Sequence, residues 1–136
     1  DLVYFGVDLK KDPKVILNAY NDPKGITKAF NLNLLERINR ELGGDFVISD
    51  FDHYPIYDPG SGICKSYLIS HKRQDVRIET LDAVFSFDYG EEIQTEVSIK
   101  YSLVELESLF KGAGFENLKH FFDCKHYFVN TLWIKH

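Results

Sequence analysis

The apolar pattern changes period at Gly43 and Gly44, and that switch constrains the fold more than any other feature of the chain. Before it, Ile26, Phe30, Leu34, Leu35, Ile38 and Leu42 recur at helical spacing, which predicts an amphipathic helix over about residues 24–42, closed by the glycine pair. After it, short alternating segments run to Ser98: "DFVISDFDHYPIYD", "ICKSYLISH", "QDVRIET", "AVFSFDY" and "EEIQTEVS". Turn sequences such as "DPGSG" and "YGEE" separate them. Residues three and four apart share a helix face whereas alternate residues share a strand face, so the two stretches demand different elements. The middle of the chain is therefore expected to form an antiparallel sheet.

The ends add an α/β frame. "DLVYFGVD" at 1–8 is a nearly continuous apolar run, the pattern of a strand buried on both faces and commonly parallel to its neighbours. Asp12 and Pro13 supply an N-cap and a first helical residue, followed by Val15, Ile16, Ala19 and Tyr20 along one side of a short helix. Ser102 and Glu105 form an S-x-x-E capping box before the stripe Leu103, Leu106, Leu109 and Phe110, which Gly112 or Gly114 ends. "FENLKHFFD" and "YFVNTLWIKH" then read as a closing hairpin.

A chain of 136 residues, 44% hydrophobic and 27% charged, is expected to form one domain with a real core. Its net charge of −5 and the lack of any basic cluster longer than "HKR" at 71–73 argue against nucleic acid as a partner. The apolar runs fall short of a membrane span and no signal-peptide pattern opens the chain, so the expected location is the cytoplasm. Cys64 and Cys124 lie far apart with no CxxC spacing and read as free thiols. His120, Cys124 and His126 crowd one segment but lack a fourth ligand, so they read as hairpin residues and no metal is expected. The chain has no methionine, which suggests a portion of a longer protein.

Chemistry concentrates in "EEIQTEVSIKYS". On a strand, Glu96 and Ser98 share a face at a separation of roughly 7 Å. A carboxylate accepts hydrogen bonds and a hydroxyl donates or accepts, so the pair suits a ligand carrying nitrogen donors. Spacing alone favours a solvated sheet face, with Glu96 paired to Lys100 or left in water, because one-sided polar alternation is the normal pattern of an antiparallel sheet facing water. Tyr20 ends its helix where a phenol would reach a cleft or cap a core. Asn31 and Asn33 sit within the long helix despite poor propensity, facing a pocket or solvent. Asp8 stands at the C-terminal end of the first strand, where open α/β sheets place ligands, and would equally cap the following helix. No nucleophile elbow, P-loop or Gly-rich dinucleotide fingerprint is present.

Five stretches together resemble one family: "GVDLKKDP" at 6–13, "AYNDPKGITKAFNLNLLERINRELG" at 19–43, "FDHYPIYD" at 51–58, "IQTEVSIKYS" at 93–102 and "GAGF" at 112–115. In this order and over nearly the whole chain they resemble the histidine-specific, S-adenosylmethionine-dependent N-alpha-methyltransferases of ergothioneine biosynthesis. The resemblance implies the C-terminal part of a class I methyltransferase, a Rossmann-like α/β sheet (α+β as truncated) with a β-rich substrate-binding insertion. Residues 1–20 and 99–136 would belong to the methyltransferase sheet and helices, beginning at its fifth strand and ending in its antiparallel sixth and seventh, and 21–98 to the insertion.

Among site residues, the resemblance places Tyr20 at the carboxylate end of an amino-acid substrate and Glu96 and Ser98 on the imidazole ring of histidine. The cofactor would be S-adenosylmethionine, with its main binding loop upstream, so this portion is expected to be inactive alone and none of its residues is assigned to cofactor binding. The product would be trimethylhistidine. The chain departs from the family in "CKSYLIS", which has Ser66 or Tyr67 where members often carry a methionine. Another aromatic amino acid, or a binding module without activity, are the alternatives. An exposed edge on the first strand would pair with a second copy.

Overall fold

The computed structural model describes residues 1–135. Among them lie three α-helices and eight β-strands, a mixed α/β arrangement. The chain divides into two compact units. The first comprises Asp1–Pro13, Asp58–Ile63 and the chain from Ser98 on; the second comprises Lys14–Tyr57 and Cys64–Val97.

In the first unit, β1 (Leu2–Asp8), β8 (Phe128–Lys135) and β7 (Phe115–Phe122) form a sheet in that order. Both pairings are antiparallel, with Phe5 opposite Thr131 and His120 also opposite Thr131. The apolar run of β1 therefore differs from the expected parallel strand: β8 returns beside it through the closing hairpin and fixes the antiparallel direction. Its side chains also alternate, with Leu2 and Tyr4 exposed and Val3 and Phe5 half-buried. α3 (Leu103–Gly112) starts at the expected capping box, Ser102 Oγ accepting from the Glu105 N–H and the Glu105 carboxylate accepting from the Ser102 N–H. Leu9, Leu106, Val129 and Trp133 make the core. Phe110 stacks between Trp133, at 4.5 Å between ring centroids, and Phe5, at 4.9 Å.

In the second unit, α1 spans Pro13–Tyr20 and α2 spans Ile26–Leu42. α2 ends at Gly43, whose φ of 64° lies in the left-handed region that glycine enters without a Cβ penalty. The alternating middle of the chain forms two sheets. β2 (Phe51–Asp58), β3 (Ile63–Ser70) and β6 (Glu92–Ile99) make one in that order, and β4 (Gln74–Ile78) with β5 (Ala83–Phe87) makes a separate antiparallel ribbon. The ribbon follows from the tight turn at Glu79–Leu81, which folds β4 directly back on β5. Leu35, Phe46, Phe51, Leu68, Val76 and Ile78 fill this unit's core.

The apolar face of α2 is not one stripe. Leu35 is fully buried and Ile38 packs beside it, whereas Ile26, Phe30 and Leu34 are exposed at 65, 72 and 39%. Ile26, Phe30 and Leu34 step by four residues and form their own ridge, one residue out of phase with Asn31 and Leu35. The buried ridge thus includes a polar residue, Asn31, at 4% exposure.

Candidate functional site

Asn31 is tolerated in the core because both ends of its amide are satisfied. Its Nδ2 donates to the Thr27 carbonyl at 2.9 Å, and its Oδ1 accepts from Thr95 Oγ1 at 2.6 Å. Thr95 Oγ1 also lies 3.1 Å from the Ser66 carbonyl, so one hydroxyl ties α2 to β6 and β3. Asp22 fixes the start of the helix, accepting from the N–H groups of Ile26 at 3.0 Å and Thr27 at 2.8 Å. The Thr27 N–H, then the Ile26 N–H, hold its carboxyl at about 2.

With α2 held in this way, its outward ridge and β6 border a groove of about 460 Å³. Phe30, Asn33, Leu34 and Arg37 line it from the helix, with Asn31 below, and Thr95 and Glu96 line it from the strand. The wall is aromatic and aliphatic with one carboxylate, one guanidinium and two amides, which suits a small ligand with an apolar body and a few polar atoms. Arg37 is held toward the next helical turn by Glu41 at 3.2 Å.

Glu96 has a second neighbour in this unit. His53 on β2 is 8% exposed, and its Nε2 has no hydrogen-bond partner among the described residues. Burial pushes the imidazole below its ordinary value of 6.5, while the Asp52 and Glu96 carboxylates pull the other way. A neutral ring therefore stands near the Glu96 carboxylate.

Of the three residues singled out in the sequence, Glu96 lines the groove. Tyr20 is half-buried at the C-terminal end of α1 and is not part of the groove wall. Ser98 follows Glu96 on the same face of β6, half-buried and outside the groove wall, and its Oγ accepts from Lys100 Nζ at 2.8 Å. Asn31 is a buried tie and Asn33 an exposed wall residue, which resolves the two asparagines left open by their spacing. Ser66 is fully buried and Tyr67 nearly so, and neither lines the groove.

Sequence reasoning missed Phe30, Leu34 and Arg37 as wall residues, and it missed the burial of His53 and Lys100. Phe30 and Leu34 carried a usable signal: they and Leu35 cannot all share one helical stripe. Elsewhere, Asp8 pairs with Lys11 and with Lys100. His120 lies 3.6 Å from Glu107 and against Trp133, Cys124 is exposed, and His126 stacks on Phe122. Among the described residues no group of three or more His, Cys, Asp or Glu is gathered for a metal ion, and no helix is long and apolar enough to cross a membrane.

A family profile described as histidine-specific methyltransferase, SAM-dependent, matches residues 1–135. The chain is 37% identical over 123 residues to the histidine N-alpha-methyltransferase of Mycobacterium tuberculosis, covering 90% of this chain and 38% of that protein. It is 39% identical over 101 residues to the histidine N-alpha-methyltransferase of Mycolicibacterium smegmatis, covering 74% of this chain and 32% of that protein. Ergothioneine biosynthesis protein 1 of Neurospora crassa is 33% identical over 125 residues, covering 87% of this chain and 13% of that protein. The chain thus spans well under half the length of each of these relatives.

Proposed function

Because this chain belongs to the histidine-specific, S-adenosylmethionine-dependent methyltransferase family, we propose that the protein methylates the alpha-amino group of histidine, successively, to trimethylhistidine. The observation that carries the reading is the groove walled by α2 and Glu96, a carboxylate at the edge of an open cleft with room for an amino acid. In this reading Glu96 accepts a ring N–H of the substrate and Ser98 holds the other side of the ring, while Tyr20 serves the carboxylate end. Residues 21–98 act as the substrate-binding insertion.

S-adenosylmethionine, when bound, supplies an electrophilic methyl on a sulfonium. The groove residues do not fit that group: Arg37 sets a fixed positive charge in the wall against a cationic sulfonium, and Glu96 is committed to the substrate ring. No step is routed through them. What these residues contribute is orientation. Transfer to nitrogen needs a neutral amine held in line with the methyl, so a ring clamped at a fixed distance from that amine supplies much of the rate. Glu96 sets specificity and takes no part in bond making.

Support for the class I arrangement comes from the β1-β8-β7 order with β8 antiparallel to both neighbours, the placement expected for a fifth, seventh and sixth strand. We also propose that β1, bonded to β8 alone among the described strands, pairs with a second copy wherever its own neighbouring strand is missing.

The test is methyl transfer by the full-length protein with S-adenosylmethionine and a panel of histidine, tryptophan, tyrosine and phenylalanine, read by mass spectrometry. Trimethylated histidine as the dominant product is expected. Methylation of another amino acid in its place would overturn the substrate assignment.

A further inference from the structure

Lys100 directly follows β6 and is 5% exposed, a burial that a lone ammonium does not tolerate. Its Nζ lies 3.1 Å from Asp8 Oδ2 and donates to Ser98 Oγ at 2.8 Å. The other oxygen of Asp8 pairs with Lys11, whose Nζ also donates to the Tyr127 carbonyl at 3.1 Å. The backbone beneath the lysine is fixed as well. Its N–H donates to the Gly62 carbonyl at 2.8 Å, and a Cβ on Gly62 would stand 2.2 Å from the Lys100 carbonyl oxygen.

An ammonium has donors and no acceptor, whereas a hydroxyl has one donor and two acceptor positions. With Lys100 donating to Ser98 Oγ, the serine keeps its own hydrogen for another partner, and the adjacent positive charge strengthens it as a donor. We propose that Lys100 is a positioning residue that fixes Ser98 as a hydrogen-bond donor, so that the substrate ring must present an unprotonated nitrogen to it. The inference rests on the reading of Ser98 as a ring-binding residue and deepens it by setting the direction of that bond. A carboxylate such as Glu96 only accepts, so it takes the ring N–H. Neutral imidazole has one nitrogen of each kind and satisfies both residues. A pyrrole ring, with an N–H and no lone-pair nitrogen, satisfies only the first.

The test is calorimetric binding of histidine and of its pyrrole analogue to the full-length protein and to its Lys100→Met, Ser98→Ala and double variants. The unaltered protein is expected to prefer histidine by at least about 100-fold, since a site built around a hydrogen bond rejects a ligand lacking it. Lys100→Met should narrow that preference by about tenfold, the scale of one charge-assisted hydrogen bond. In the Ser98→Ala background the further change at Lys100 should alter nothing. Full preference in Lys100→Met together with its collapse in Ser98→Ala would overturn the role of Lys100 alone. Unchanged histidine binding in Ser98→Ala would overturn the ring-binding reading itself. Should Lys100→Met fail to fold, ring-¹⁵N histidine bound to the unaltered protein gives the answer by NMR at neutral pH. One protonated and one bare nitrogen is expected, and protons on both would overturn the proposal.

Discussion

His53 shows how one buried side chain links stability to pH. Burial keeps its ring below 6.5 in the folded protein, and the carboxylates of Asp52 and Glu96 only partly offset this. As pH falls below 6.5 the unfolded chain binds a proton at this position before the folded chain does. The stabilisation from the neutral ring is therefore fully present above 6.5 and is lost as pH falls from there toward the depressed folded-state value. Urea midpoints should drop between neutral pH and mildly acidic pH, and His53→Asn should shrink that drop. An equal drop in the variant would show that other groups carry it. No signal in the sequence separates His53 from the other four histidines, because its burial is set by the packing of β2.

At the scale of elements, what was legible was whatever is encoded locally. The capping box at Ser102 and Glu105 and the left-handed stop at Gly43 are formed by residues within one helical turn, and both stand where the spacing put them. Partner choice was not legible. The run "LVYFGV" is compatible with a parallel or an antiparallel neighbour, and only the return of β8 decides it. Alternation in 45–98 likewise marks strands without saying which of them pair, so the β4-β5 ribbon could not be told from its neighbouring sheet. The groove wall was half-visible: Glu96 was singled out, but Phe30 and Leu34 looked like core because apolar residues at helical spacing usually are.

The same scale governs the assembly proposed for β1. Leu2 and Tyr4 are 65 and 61% exposed, and Tyr4 packs edge-on to Phe121 on the same sheet. An edge strand bonded on one side only among the described residues is a template for another strand. Sedimentation of residues 1–136 should show a dimer that Tyr4→Pro, which removes a backbone donor on the side of β1 facing away from β8, converts to monomer. A monomer before substitution would refute the pairing.

For the molecule as a whole, the proposed function reduces to one claim: Glu96, in the groove beside α2, accepts a hydrogen bond from the side chain of an amino-acid substrate. The alternation of polar residues along β6, taken alone, favours a wet strand face. What supports the binding reading is the company Glu96 keeps: the outward ridge of α2 across the groove, Asn31 and Thr95 tying that helix in place, and the buried His53 ring. Calorimetry on the full-length protein and its Glu96→Ala variant tests this most directly, titrating histidine and S-adenosylmethionine separately. The variant should bind histidine at least about tenfold more weakly, the scale of one hydrogen bond to a charged group, with its affinity for S-adenosylmethionine unchanged. Equal losses for both ligands, or no loss for histidine, would contradict the account.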